Sequence, residues 1–305
     1  MPVTNFLVDA RFWIISALVL GLLIGDTGYA PTIVMIALMI LMCISIQGLS
    51  FNKNDITENK KEILIGVLVC YAVAGGVTLL VGSFYDHDLW LGWVILAAVP
   101  CAISVTSGTL ILKGNVKLAM IATAVIYLVA LAVTPAITQI LIGEAVDPME
   151  VLKYVALFIA IPFAVSVSLR KFKMNVRTKA VSVNILFFIL VLVTFGANRD
   201  FIFNDPETVL WVVLGCIIRI AVVALVMELL LKWIGMGRGN RIPMVLLSIW
   251  KNSALAMSMT MILISTTHSV LPAALSLPIE MIWFMFMIWY YKKRCPETSE
   301  DACNG

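Results

Sequence analysis

Two short polar stretches interrupt apolar segments of the chain, and they hold the residue types that could do chemistry. The first, VPCAISVTSGT (99–109), combines a helix-breaking proline with a thiol and several hydroxyls. The second, SIWKNSALAMS (248–258), places Lys251 within an apolar run from Ile242 to Ile264. A lysine at the centre of a membrane helix costs roughly 3 kcal/mol or more. Such a side chain is expected to face the protein interior, where it would attract an anion, carry a proton or pair with another charge.

The amino-acid composition identifies the class of protein. The chain has 305 residues, of which 62% are hydrophobic and only 13% are charged, whereas about a quarter of the residues of soluble domains are charged. The net charge of +3 gives no indication of nucleic-acid binding. None of the six cysteines belongs to a CxxC pair, so neither a metal site nor a cofactor is expected. We therefore predict an all-α polytopic membrane protein whose partners are the lipid bilayer and a small solute.

Ten segments are apolar and long enough to cross a bilayer, which takes roughly 20 apolar residues. They span residues 12–28, 31–49, 63–83, 90–112, 118–142, 151–169, 180–196, 208–234, 242–266 and 272–291. The connections on one side are basic, at 53–61, 113–117, 170–179 and 238–241, and those on the other side are acidic apart from Arg199, at 83–88, 143–150 and 197–207. The positive-inside rule then predicts that both termini lie in the cytoplasm. We expect the membrane to be the plasma or inner membrane of the cell.

Ten spans divide into two halves of five, and an odd number of spans inverts the second half relative to the first. We therefore predict two inverted five-helix repeats, residues 1–150 (helices 1–5) and 151–291 (helices 6–10), followed by a cytoplasmic tail at 292–305. The fourth helix of each half, 90–112 and 242–266, contains one of the polar stretches. Irregular polar backbone persists at membrane depth only where it is buried in protein or lines a cavity. Helices 4 and 9 are therefore predicted to be broken and to cross at one shared site.

Three stretches resemble the bile acid:sodium symporter family. The block PCAISVTSGTLILKGNVKLAMIATAVIYLVALAVTPAI (100–137) is similar to that family's fourth and fifth helices. It keeps Pro100, Lys113-Gly114-Asn115 and Thr134-Pro135 of the family's pattern. KNSALA (251–256) resembles the family's Gln-Asn-Ser-Gly/Ala-Leu-Ala, and SIQGLSF (45–51) resembles the Gly-Leu stretch that ends its second helix. The chain is thus identified as a member of the wider superfamily, which also holds arsenite exporters and auxin-efflux-type carriers.

The resemblance implies two crossed, broken helices around a substrate cavity, a panel domain that moves against a core domain, and transport by alternating access. It also implies where sodium would bind, since the sodium-coupled members use polar side chains of helices 4, 5 and 9. The matching positions here are Leu247, Lys251, Val105, Thr106, Ala119 and Thr123. Four of these six side chains, those of Leu247, Lys251, Val105 and Ala119, offer no oxygen ligand. The family's usual sodium sites are therefore not expected.

These departures predict a secondary transporter of a small organic anion in which Lys251 replaces the coupling cation. The candidate coupling residues are Lys251, Thr123 and Glu280. The candidate substrate-binding residues lie in and beside the two polar stretches: Pro100, Cys101, Ser104, Thr106, Thr109, Asn252 and Ser253. Glu280 is the favoured ion-pair partner of Lys251. A pair between Arg219 and Glu228 is less favoured, because nine residues exceed two helical turns.

Other functions remain open on the sequence alone. A sodium-coupled organic-anion symporter would need sites built from backbone carbonyls. An arsenite or other metalloid efflux carrier would use Cys101 as a ligand, although a cysteine in an apolar segment more often serves packing. A channel would favour a continuous polar stripe, and a sensor would add a soluble output domain. No HExxH or GxSxG motif occurs, so an enzyme is not expected, and coupling to protons or to sodium stays open.

Overall fold

The computed structural model describes residues 10–46, 53–143, 147–168, 174–264 and 267–294, and these ranges are helical and contain no β-strand. The helices are α1 (Ala10–Ile24), α2 (Ala30–Ile46), α3 (Lys53–Glu58), α4 (Lys60–Leu68), α5 (Ala74–Gly82), α6 (His87–Ala98), α7 (Val105–Ile111), α8 (Val116–Ile142), α9 (Pro148–Val155), α10 (Ile161–Ser168), α11 (Val176–Ala197), α12 (Arg199–Asn204), α13 (Pro206–Trp233), α14 (Arg238–Ile249), α15 (Ser253–Leu263) and α16 (Leu271–Arg294). Two π-helical turns, Val69–Val73 and Ala156–Ala160, join α4 to α5 and α9 to α10, and a 3₁₀ turn, Thr267–Val270, precedes α16.

Five helical stretches are long and apolar enough to cross a membrane: Lys60–Gly82, Val116–Ile142, Arg177–Ala197, Pro206–Trp233 and His268–Tyr291. Four shorter apolar helices accompany them: Phe12–Ile24, Ala30–Ile44, His87–Ala98 and Ser253–Leu263. The chain is therefore a multi-pass helical membrane protein. Each of the ten predicted segments coincides with helical residues, whereas the count of ten spans and the inverted repeats remain predictions.

Short polar side chains determine where several helices begin. Asp86 accepts a hydrogen bond from the Leu89 amide at 2.9 Å at the start of α6, and Asn115 accepts one from the Leu118 amide at 3.0 Å at the start of α8. Asp205 does the same at the start of α13. Each such cap satisfies an amide that has no partner within the helix and stabilises it by about 1 kcal/mol. Local sequence thus defines the ends of the helices that surround the two polar stretches.

Both polar stretches leave the helical conformation, as predicted, at Val99–Ser104 and at Trp250–Asn252. Val99 is extended because it precedes Pro100, whose ring disfavours a helical residue before it. The two breaks meet as a short antiparallel bridge. The Ala102 amide donates to the Trp250 carbonyl at 2.9 Å, and the Asn252 amide donates to the Pro100 carbonyl at 2.8 Å. Each break therefore satisfies backbone groups of the other, and we call this meeting point the crossing.

The helices form two packed groups. In the first, called the panel, α11 packs against both α1 and α2, and α10 packs against α2. The second, called the core, contains α4 to α8 and α13 to α16, with the crossing buried inside it. Glycine lets α1 and α11 approach closely, because a Cβ on Gly21 would lie 2.5 Å from the Leu192 carbonyl oxygen. Panel and core meet where α2 packs against α15, directly beside the crossing.

Candidate functional site

Lys251 lies at the crossing with only 1% of its surface exposed. Its Nζ donates a hydrogen bond to the Cys70 carbonyl at 3.2 Å and lies 3.9 Å from Cys70 Sγ. It also lies 5.1 Å from the centre of the Tyr71 ring, within the range of a cation–π interaction. Cys70 and Tyr71 belong to the π-helical turn Val69–Val73, which widens the helix and directs these groups towards the crossing. The ammonium is thus bound by a carbonyl, a sulfur and an aromatic face.

Glu280 does not pair with Lys251, so the pairing favoured from the sequence is wrong. Glu280 Oε1 lies 2.7 Å from Nη2 of Arg219, and both side chains are buried. Arg219 Nη1 also faces the carbonyl of Ile249, the last residue of α14, at 3.4 Å. The reason is the packing of α13 against α16, which brings the guanidinium to the carboxylate. Among the described residues, Lys251 forms no ion pair with a carboxylate.

The pair of Arg219 and Glu280 stabilises the second break. A broken helix exposes carbonyls at the end of one half and amides near the start of the other, and these groups need partners when buried. Arg219 faces such a carbonyl, that of Ile249, and Glu280 neutralises the charge of Arg219 beside it. At the first break the Thr134 hydroxyl has the corresponding role, since it donates to the Ala98 carbonyl at 2.8 Å. Each break therefore has a side chain from a neighbouring helix that satisfies its open end.

Two thiols lie on the other side of Lys251. Cys101 is opposite Lys251 in the antiparallel bridge, and Cys70 Sγ lies 3.9 Å from Lys251 Nζ. Both cysteines are fully buried. The Thr123 hydroxyl faces the Cys101 sulfur and has no conventional hydrogen-bond partner among the described residues. Thr123, which was predicted as a coupling residue, thus lies next to the Cys101 thiol.

Asn252 connects the crossing to the panel. Its side-chain oxygen accepts from the Leu255 amide at 3.1 Å and caps α15, while its side-chain nitrogen donates to Tyr127 Oη at 2.8 Å. The same nitrogen lies 3.8 Å from Sδ of Met42, which belongs to the panel helix α2. The neighbouring Ser253 hydroxyl is buried and has no partner among the described residues. Asn252 therefore marks where the crossing faces the surface between panel and core.

The remaining predicted site residues extend from the first break along α7. The Ser104 carbonyl accepts from Ser107 Oγ at 2.8 Å. The Thr106 and Thr109 hydroxyls are buried and have no partner among the described residues. Thr109 packs towards Gly114, at the end of α7 that leads into α8. The structure thus gathers Pro100, Cys101, Thr123, Lys251 and Asn252 at the crossing, and Glu280 joins them from α16 together with Arg219.

Sequence reasoning did not assign a role to Cys70, Tyr71 or Tyr127. All three lie within apolar helices, where their residue types usually serve packing. No motif distinguishes them, and the π-helical turn that orients Cys70 and Tyr71 has no sequence signature of its own. Their contribution follows only from the contacts with Lys251 and Asn252.

Two interrupted helices cross inside the packed core of this helical membrane protein. Interrupted helices of this kind form the substrate sites of many carriers. A family model described as the Sodium Bile acid symporter family matches residues 32–205, which is more than half of the 305-residue chain. The chain therefore belongs to this family and is a membrane transporter of the bile acid:sodium symporter type. The matched range includes the first break and ends before Lys251. A comparison with curated proteins found no match.

Proposed function

We propose that this protein is a secondary transporter of a small organic anion, in which the Lys251 ammonium takes the place of the coupling sodium ion. The observation that carries the proposal is the contact between Lys251 Nζ and the Cys70 carbonyl at 3.2 Å. Backbone carbonyls bind cations in the interrupted helices of transporters, and here a carbonyl of the neighbouring π-helical turn binds a cation that is part of an interrupted helix. A permanently tethered charge would make sodium unnecessary at this position.

The side chains at the family's other sodium-ligand positions support the same proposal. Leu247, Val105 and Ala119 are all fully buried and apolar. Leu247 packs towards the backbone of Gly66. A sodium ion needs several oxygen ligands to replace its hydration shell, and these three side chains offer none. The local chemistry therefore favours a bound ammonium over a bound sodium ion.

The charge distribution favours an anionic substrate. The Arg219 charge is matched by Glu280 at 2.7 Å, whereas Lys251 forms no ion pair with a carboxylate among the described residues. A protonated Lys251 would therefore give the crossing a net positive charge. The helix α15 begins at Ser253, directly after the break, and the start of a helix carries a partial positive charge. An anion that enters between panel and core beside Asn252 would interact with both. Movement of the panel against the core would then give alternating access, with both termini in the cytoplasm.

The proposal is tested by measuring the thermal stability of the purified chain with a panel of carboxylates and sulfonates, with and without sodium. A ligand at 100 times its Kd stabilises the folded state by about 2.7 kcal/mol. We expect at least one anion to stabilise the wild type equally in sodium and in potassium. Lys251→Gln should abolish this stabilisation, and Lys232→Gln, which alters an exposed lysine, should not.

Two results would contradict the proposal. Stabilisation that requires sodium would support the alternative of a sodium-coupled symporter, whose site would be built from carbonyls. Sodium-independent stabilisation that persists unchanged in Lys251→Gln would show that the ammonium has no part in binding or coupling.

A further inference from the structure

A groove beside α13 is lined by residues that do not belong to the crossing. It has a volume of about 550 Å³, a size typical of ligand sites. One wall is α13, where Thr208, Trp211, Leu214 and Ile218 line the groove. These residues are three or four positions apart, so they belong to one face of the helix. The other wall is the connection between α5 and α6.

The groove opens towards the lipid. Trp211, Leu214 and Ile218 remain exposed on the surface of α13, and this helix is long and apolar enough to cross a membrane. From Thr208 to Ile218 the helix rises about 15 Å, at roughly 1.5 Å per residue. The hydrocarbon part of one leaflet is also about 15 Å deep, half of a bilayer core of about 30 Å. The groove therefore has the length of the acyl region of one leaflet.

The groove is preformed, because Tyr85, one of its lining residues, is fixed in place. Tyr85 Oη donates a hydrogen bond to the Trp211 carbonyl at 2.6 Å, and its ring packs on that of Trp93 with 5.5 Å between the ring centres. Gly215 lets the tyrosine come this close to α13, since a Cβ there would overlap the Tyr85 hydroxyl. Tyr85 thus joins the connection between α5 and α6 to α13 and fixes the two walls relative to each other.

The end of the groove at the start of α6 and α13 is acidic. Asp86 lines the groove and is exposed. Its Oδ1 accepts a hydrogen bond from the Leu89 amide at 2.9 Å and caps α6, which leaves the other carboxylate oxygen for a ligand. The first turns of α6 and α13 carry Asp88 and Glu207. These charges favour a cationic group over an anionic one, and an ammonium donates strong hydrogen bonds to a carboxylate.

We propose that the groove binds phosphatidylethanolamine, with one acyl chain along α13 and the lipid ammonium against Asp86. The apolar face of α13 matches the chain, and the acidic end matches the headgroup. A primary ammonium has three N–H donors for the carboxylate. The trimethylammonium of phosphatidylcholine has none, and phosphatidylglycerol has no cation, so both should bind more weakly. This inference does not depend on the transported substrate.

The test measures thermal unfolding of the purified, delipidated full-length chain with dioleoyl phosphatidylethanolamine, phosphatidylcholine or phosphatidylglycerol. We expect phosphatidylethanolamine to bind most tightly and to raise the Tm most. Asp86→Asn removes the charge and keeps an oxygen to cap α6, because asparagine caps helices as well as aspartate does. It should weaken phosphatidylethanolamine binding about three-fold, to the level of phosphatidylcholine. An equal response of the wild type to these two lipids would overturn the proposal, as would an unchanged preference in Asp86→Asn.

A bulky side chain tests the location. Ile218→Trp places an indole in the groove, and Ile217→Trp is its control, since Ile217 is 45% exposed against 44% for Ile218 and does not line the groove. Ile218→Trp should lose most of the response to phosphatidylethanolamine, and Ile217→Trp should respond as the wild type does. Equal responses of the two variants would overturn the location. Lys251→Gln should keep the lipid response even when it loses the response to anions, so this proposal and the transport proposal fail separately.

Discussion

Arg219 Nη2 and Glu280 Oε1 lie 2.7 Å apart within the core. Of the two buried cations at the crossing, Arg219 thus has a carboxylate partner, whereas Lys251 has none among the described residues. Arg219 is neutralised, and it holds the open end of α14 through the Ile249 carbonyl. Lys251 instead contacts the Cys70 carbonyl and the face of the Tyr71 ring. A pair formed by Lys251 instead would have neutralised the site.

Glu280→Gln should destabilise the protein strongly, because it leaves the Arg219 guanidinium buried without a counter-charge. Breaking a buried pair in this way costs roughly 3–5 kcal/mol. The double variant Arg219→Met with Glu280→Met should lose clearly less, since it removes both charges. Unfolding in detergent measures the difference. The matched control is Glu228→Gln, whose partner Arg241 lies at 3.1 Å in a partly exposed site, and this should cost about 1 kcal/mol or less. Equal losses in Glu280→Gln and Glu228→Gln would contradict the assigned role.

Lys251→Met should leave the protein at least as stable as the wild type while removing its response to anions. The side chain is buried and forms no carboxylate pair among the described residues, and replacing a costly buried charge by an apolar group of similar size is often neutral or stabilising. Thermal unfolding without ligand checks stability, and the same measurement with the stabilising anion checks function. A loss of more than about 2 kcal/mol would mean that Lys251 is chiefly a structural residue.

Gly108→Ala should disturb the crossing, because a Cβ at this position would lie 2.6 Å from the Trp250 ring. The ring also packs against Phe284, with 4.8 Å between the ring centres, so it has little freedom to move. Overpacking of this kind typically lowers the free energy of unfolding by about 2 kcal/mol. Gly76→Ala is the control, since a Cβ there meets nothing within 4 Å and should be neutral or stabilising by up to about 1 kcal/mol.

Adding Trp250→Leu to Gly108→Ala tests the cause of that loss. The smaller side chain should relieve the overlap, so the double variant should be more stable than the sum of the two single effects. Strict additivity would show that the glycine is needed for another reason.

The bond from Asn252 to Tyr127, at 2.8 Å, should appear as an energetic coupling between α15 and α8. Asn252→Ala removes the amide donor, and Tyr127→Phe removes the acceptor. The loss of the α15 cap in Asn252→Ala occurs with and without Tyr127 and so cancels in the cycle. In a double-mutant cycle based on unfolding, the two changes should be coupled by roughly 0.5–1.5 kcal/mol. A coupling of zero would show that the hydrogen bond contributes nothing to joining these helices.

The sequence by itself determined the helical class, the approximate positions of the apolar helices and the two interruptions. These are local properties, because crossing a bilayer demands a run of apolar residues and a proline prevents the residue before it from staying helical. The break at Pro100 and the polar cluster around Lys251 were therefore visible without a structure. The spacing of the two stretches also indicated that they share one site.

Only the tertiary structure decided which groups meet at that site. Glu280 faces Arg219 and not Lys251 because of the way in which α13 packs against α16, and these residues lie 61 positions apart in the chain. Cys70 contributes because a π-helical turn reorients it towards a lysine 181 positions away. Such pairings depend on helix rotation and on which faces pack together, and a hydropathy pattern in which almost every residue is apolar leaves both undetermined.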